Sequence, residues 1–218
     1  MPTMNTMTSA PAEQFDDLDQ QLRADVMGMW VFLATEMLLF GSLLTGFVIF
    51  RIQHAAVFAD AASHLGLKLG SINTAILLTS GLTVALSEQA VSSGRRRSAF
   101  SLLLISIVLG VTFLCIKFYE WYIEYTEELM PVLGLPFRFK GEHDHVAELF
   151  FNFYYMMTGL HAVHMIAGLG VLMVILMQIA RWSEPGRVTR QARIGGLYWH
   201  FVDVIWVFIF TLLYLLRS

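Results

Sequence analysis

Five apolar stretches limit what this chain can fold into. They run approximately Val26–Phe50, Leu67–Val91, Ala99–Trp121, Leu149–Ile179 and Ile194–Leu216. About 20 apolar residues cross the ~30 Å hydrocarbon core of a bilayer, so each stretch is long enough to span. In lipid a backbone has no water to bond and must satisfy its own N–H and C=O groups. No period-two alternation is visible, which leaves helices rather than barrel strands. The sequence therefore predicts an all-α integral membrane bundle of five transmembrane helices. The composition agrees: 14% of residues are charged, against about a quarter in a soluble domain.

Residues 1–24 read as a polar N-terminal tail, mostly disordered over 1–20, and residues 25–218 as one membrane domain. The tail is acidic (Glu13, Asp16, Asp17, Asp19). It has neither the basic start nor the small-residue cleavage site of a signal peptide. Arginines set the expected orientation. With five spans, Arg23, Arg95, Arg96, Arg97, Arg181, Arg187, Arg190 and Arg193 share one side. The positive-inside rule makes that side cytoplasmic, with the C-terminus outside. The longest connection, about Tyr122–Ala147, is then external and acidic, with Glu124, Glu127, Glu128, Glu142 and Asp144 beside His143 and His145. The formal charge of −3 gives no reason to expect nucleic acid as a partner. Cys115 is the single cysteine and cannot form an intrachain disulfide.

Polar residues inside the apolar stretches carry the functional information, because a charge at membrane depth is costly unless paired or wetted. Glu36 lies about ten residues into the first stretch, roughly 15 Å along the helix axis. It reads either as a proton-related or lipid-contacting carboxylate, or as an acid locking one helix to its neighbour. His161 and His164 are three apart and share a helix face; metal ligation and interhelical hydrogen bonding both remain open for them. Gly159, Gly168 and Gly170 thin that helix for close approach. In the last stretch, Gly196, His200, Asp203 and Val207 form one stripe, and Trp199 and Trp206 another. Tyr198 and Trp199 are expected near the membrane–water interface. Lys117 and Glu120 form an outer-end pair, either with the lysine snorkelling to headgroups or as a buried ion pair. Asn73 and Ser80 give the second stretch a small polar stripe. Arg95, Arg96 and Arg97 are expected against anionic headgroups or a partner subunit.

No glycine-rich phosphate loop precedes a helix, and no nucleophile–base constellation is evident. A self-contained hydrolytic or redox enzyme is not indicated by the residues. Three segments resemble one family with some specificity. They are Gly28-Met29-Trp30 through Glu36-Met37-Leu38-Leu39-Phe40, Thr158-Gly159-Leu160-His161-Ala162-Val163-His164, and Tyr198 through Trp206. Ile72-Asn73-Thr74 through Ser80-Gly81, and Phe118 through Tyr122, fall in the same order. From Gly28 to Leu216 the chain resembles the cytochrome c oxidase subunit III family of haem–copper respiratory oxidases, in a five-helix form.

The resemblance implies a non-catalytic subunit with no redox centre of its own. Such a subunit binds phospholipid and supports stability and proton uptake during oxygen reduction. Haem and copper would sit in partners, the catalytic subunit I and subunit II, with further respiratory subunits possible. The setting would be a bacterial inner membrane. By the same carry-over Glu36 is the family's buried helix glutamate, and His161, His164, His200 and Asp203 are its intramembrane polar positions. Longer members have seven spanning helices; this chain's first matches their third, so one wall of the family's lipid cleft must be absent or supplied by another chain. Competing readings are an accessory subunit of a nitric oxide reductase or quinol oxidase, a stand-alone proton or ion carrier, and a metal-binding membrane protein.

Overall fold

The computed structural model describes residues 18–131, 144–182 and 185–216. Six helices follow in order: α1 (Leu18–Gln53), α2 (Ala55–Ser63), α3 (Leu67–Ser92), α4 (Arg96–Thr126), α5 (Asp144–Arg181) and α6 (Pro185–Phe210). A π-helical turn, Thr211–Leu215, follows α6. Five of the helices are long and apolar enough to cross a membrane, matching the five spans read from sequence. Two boundaries differ. Helix α1 begins at Leu18, so the end of the segment read as a tail is helical. Helix α4 runs on through Glu124 to Thr126, so Glu124 belongs to a membrane helix rather than to the external loop. The tail over 1–17, and Arg138, Lys140, Glu142 and His143 of that loop, lie outside the described residues. His145 is on α5 and exposed, 3.8 Å from Glu148.

Helices α3, α4, α5 and α6 close into a ring in which each contacts two neighbours, and α1 lies outside it against α5 and α6. Burial follows this plan: 61% of the α6 membrane window is buried, against 17% for α1. Helix α2 was not expected. It is an apolar cap whose Phe58, Ala61 and Ala62 are buried, with Phe58 against Phe47 of α1 and Phe150 of α5, ring centroids 5.4 Å apart in each case.

Helix α3 shows how a weakly amphipathic sequence finds its partners. Asn73 Nδ2 donates to Phe113 O at 3.2 Å, Ser80 Oγ to Ser106 O at 3.1 Å and Ser87 Oγ to Ala99 O at 2.9 Å. Donors and acceptors both step by seven residues, in opposite directions, as in two antiparallel helices packed at a shallow left-handed angle. The stripe read from Asn73 and Ser80 therefore extends to Ser87 and is the α3–α4 seam. A second stripe faces α6. Gly70 lies under Tyr214 and Phe210, Thr74 Oγ1 accepts from Trp206 Nε1 at 3.0 Å, and Gly81 lies under Asp203.

Helix ends are closed by local chemistry. After α3, Gly94 takes φ +70, Arg95 N–H reaches Ala90 O and Gly94 N–H reaches Val91 O, the paired bonds of a Schellman turn. The same pair closes α4: Leu129 N–H to Glu124 O and Glu128 N–H to Tyr125 O, with Leu129 buried. At the end of α5, Trp182 N–H bonds Gln178 O. Arg96 of α4 then donates from Nε to Ile179 O at 3.0 Å and from Nη2 to Ala180 O. The three arginines expected at headgroups or a partner are all exposed, and Arg96 is also engaged within the chain.

Candidate functional site

Among the described residues, an extended polar assembly in the interior is built on Lys117, which is 1% exposed. Its three ammonium protons are all used: Glu120 Oε2 at 2.9 Å, Tyr154 Oη at 2.8 Å and Tyr214 Oη at 2.7 Å. Tyr214 passes its own proton to Glu120 Oε1 at 2.7 Å. Tyr154 and Tyr155 donate to the two oxygens of Glu124, at 2.7 and 2.8 Å. The ammonium also lies 4.5 Å from the Tyr154 ring centroid and 5.6 Å from that of Trp206. Helices α4 and α5 and the terminal π-helical turn meet here. The lysine does not snorkel; the outer-end pair is a buried one. Glu124, Tyr154, Tyr155 and Tyr214 were missed in the sequence. Glu124 follows Lys117 by seven and Glu120 by four, a helical stripe that its acidic neighbours Glu127 and Glu128 disguise as loop.

Glu36 is held by α5. Its Oε2 lies 3.0 Å from His164 Nε2, with side-chain exposures of 16% and 13%. His164 Nδ1 lies 2.8 Å from Leu160 O; a carbonyl only accepts, so Nδ1 carries a proton. The Glu36–His164 contact then needs one further proton, on either partner, and joins α1 to the ring in both cases. Phe40 packs edge-on to the same imidazole, centroids 5.2 Å apart.

His161 goes elsewhere. It is 1% exposed, lies between Phe113 and Trp206 with centroids 5.6 and 5.0 Å away, and neither ring nitrogen has a hydrogen-bond partner among the described residues. The two histidines share a helix face but not a target. Among the described residues no three His, Cys, Asp or Glu side chains converge to hold a metal ion.

Asp203 is 4% exposed and presses on Gly81. A Cβ at residue 81 would collide with Asp203 Oδ2 and would stand 3.6 Å from His200 Nδ1. Asp203 Oδ1 has no hydrogen-bond partner among the described residues. Gly196 faces Glu88 Oε2, and Val207 is 38% exposed, so the expected stripe turns away from the core after Asp203. Tyr198 and Trp199, expected at the interface, are buried. Trp199 fills notches at Gly110 and Gly168, where a Cβ would come within 2.9 and 3.0 Å of it. Gly168 does allow close approach, whereas a Cβ at Gly159 or Gly170 would meet nothing within 4 Å. At the C-terminal end of α1, Arg51 Nη2 donates to Leu216 O, just past the π-helical turn that follows α6; at the N-terminal ends of α1 and α6, Arg190 Nε lies 3.3 Å from Asp25.

These features define a polytopic α-helical membrane subunit whose charged interior is largely closed by its own helices. The chain belongs to the cytochrome c oxidase subunit III family: the model of that family matches residues 19–218. The cytochrome c oxidase subunit 3 of Thermostichus vulcanus is 32% identical over 195 residues, covering 88% of this chain and 87% of that protein. The subunit 3 of Alkalihalophilus pseudofirmus is 33% identical over 193 residues, 87% of this chain and 85% of that protein. A haem–copper oxidase subunit I+III from Aeropyrum pernix is 30% identical over 193 residues, 86% of this chain and 22% of that longer protein. The chain is accordingly a subunit III of the haem–copper oxidase class, part of a respiratory oxidase complex.

Proposed function

We propose that this chain is a non-catalytic flank of a terminal oxidase in a bacterial inner membrane, with its N-terminus in the cytoplasm. It packs beside catalytic subunit I, with subunit II in the same complex, and its outer surface binds phospholipid. The haem and copper that reduce oxygen lie in those partners. The contribution of this chain is to hold the complex together through turnover and to support proton uptake. Its polar residues, Glu36, His164, Lys117 and Glu120 foremost, join helices, while His161, His200 and Asp203 shape the core.

One observation carries this reading. Two of the embedded charges are answered within the chain: Glu36 by His164 across α1 and α5, and Lys117 by Glu120 and two tyrosines from α4, α5 and the last turn. Groups spent in this way fix helix positions. The Aeropyrum pernix relative, named for subunits I and III together, supports subunit I as the immediate neighbour. The arginine-rich turns on the N-terminal side support the orientation.

The test is mild-detergent capture of the chain from its native membrane. Retention of a multi-helix haem protein is expected, and its spectrum then assigns haem types and a dinuclear copper centre, if present, and so distinguishes a cytochrome c from a quinol donor. A chain that purifies alone and conducts protons in vesicles, with conduction abolished by Glu36→Gln, would overturn the proposal.

A further inference from the structure

We propose that the cluster around Lys117 is a proton-binding site in its own right, with Glu124 the carboxyl group that takes the proton. Packing alone does not call for this, and the subunit reading does not include it. The argument starts from hydrogen positions. Lys117 spends its three protons on Glu120, Tyr154 and Tyr214. Tyr154 and Tyr214 therefore accept from the ammonium, and each turns its own proton toward a carboxylate, Tyr154 to Glu124 Oε1 and Tyr214 to Glu120 Oε1. Tyr155 supplies Glu124 Oε2. With every donor assigned, the cluster holds one cation and two carboxylates.

Among the described residues that leaves one negative charge in excess, at a place where Glu120 and Glu124 are each 4% exposed. The charged and titratable groups facing Glu124 among the described residues are Lys117 and Glu120 on α4, Tyr154 and Tyr155 on α5, and Tyr214 from the last turn; no second cation is among them. A net charge inside low-dielectric surroundings is expensive, and a proton from the aqueous phase is the smallest ligand that removes it. Glu120 touches the ammonium and keeps its charge. Glu124 touches only phenol hydroxyls, so the proton goes there.

The step is a simple protonation: the carboxylate of Glu124 gains one proton, and no other bond forms or breaks. At Oε2 the Tyr155 hydroxyl reverses by rotating about its C–O bond, so that its oxygen accepts from the new acid. Tyr155 is 7% exposed, whereas Tyr154 is 0%. Of the two phenols on Glu124, Tyr155 is therefore the one that reaches the surface of the bundle, and the proposed exchange runs on its side. The site thus switches between one excess negative charge and neutrality at the end of the bundle that carries the C-terminal turn.

Infrared difference spectroscopy of the intact complex across a pH step tests the assignment. A protonated-carboxyl C=O band should grow as the pH falls and be missing in Glu124→Gln. Tyr155→Phe removes one hydrogen bond to that acid and should move the band to higher frequency without deleting it. The proposal fails if no such band exists in the parent, or if the band persists in Glu124→Gln. Should Glu124→Gln not assemble, Tyr155→Phe decides alone, and an unmoved band overturns the assignment.

Discussion

Gly81 and Asp203 depend on each other at the level of single atoms. A methyl group at residue 81 would occupy the space of the Asp203 carboxylate, and α3 and α6 are both held by other contacts. Gly81→Ala should therefore destabilise the assembled chain by about 1–3 kcal/mol, the usual range for overpacking. Shortening the acid in Gly81→Ala/Asp203→Ala should restore part of the loss. Thermal release of the chain from the purified complex reads both. A second pair of substitutions separates the two histidines. His164→Phe should weaken the attachment of α1, because Glu36 loses its partner. His161→Phe should leave assembly intact, since His161 makes no hydrogen bond and its ring packs on Phe113 and Trp206. Equal loss in both would contradict the account. A double-mutant cycle on Glu36→Gln and His164→Phe should give a coupling of about 0.6 kcal/mol, the typical strength of such bonds in a membrane. The spacing of His161 and His164 was legible in the sequence; their divergence was not, because it depends on how α5 is rotated against α1, α4 and α6.

At the scale of elements, hydropathy alone located the five spans, since length and apolarity decide whether a segment can cross. The partners of each helix were less legible. Asn73 and Ser80 marked the α3 seam, but nothing in α4 advertises that backbone carbonyls of Phe113, Ser106 and Ala99 receive it. The extension of α4 is hidden by its acids: Glu120 and Glu124 suggest water, and beside Lys117 on the same helix it is Tyr154, Tyr155 and Tyr214 from distant segments that make them compatible with burial. Tyr198 and Trp199 misled for the opposite reason, because the glycine notch that admits Trp199 lies on other helices. The seam gives a prediction. One alanine inserted after Leu77 turns the rest of α3 by about 100°, and should remove the Ser80 and Ser87 bonds together and abolish assembly. Ser80→Ala alone should be tolerated with a loss of under about 1 kcal/mol. Yield of the assembled complex distinguishes them.

For the whole molecule, the arrangement is a closed four-helix ring with one peripheral helix. Helix α1 is tied on by Asp25–Arg190 at one end, Glu36–His164 along its length, and Arg51 to the carbonyl of Leu216, just past the π-helical turn, at the other. Its remaining surface carries Met27, Trp30, Val31, Met37, Leu38, Ile49 and Ile52 outward, a surface for lipid or a neighbouring subunit. Family membership assigns the chain to a respiratory oxidase complex, and the interior explains how a subunit can carry charges at membrane depth as ties between helices. The most direct measurement is the amount of this chain retained per haem after graded heating of the detergent-purified complex, comparing the parent with Lys117→Met and with initial turnover recorded alongside. Early loss of the chain, with turnover normal until it leaves, is the expected result. Full retention of the chain with turnover abolished from the start would contradict the claim that these buried charges serve to hold helices together.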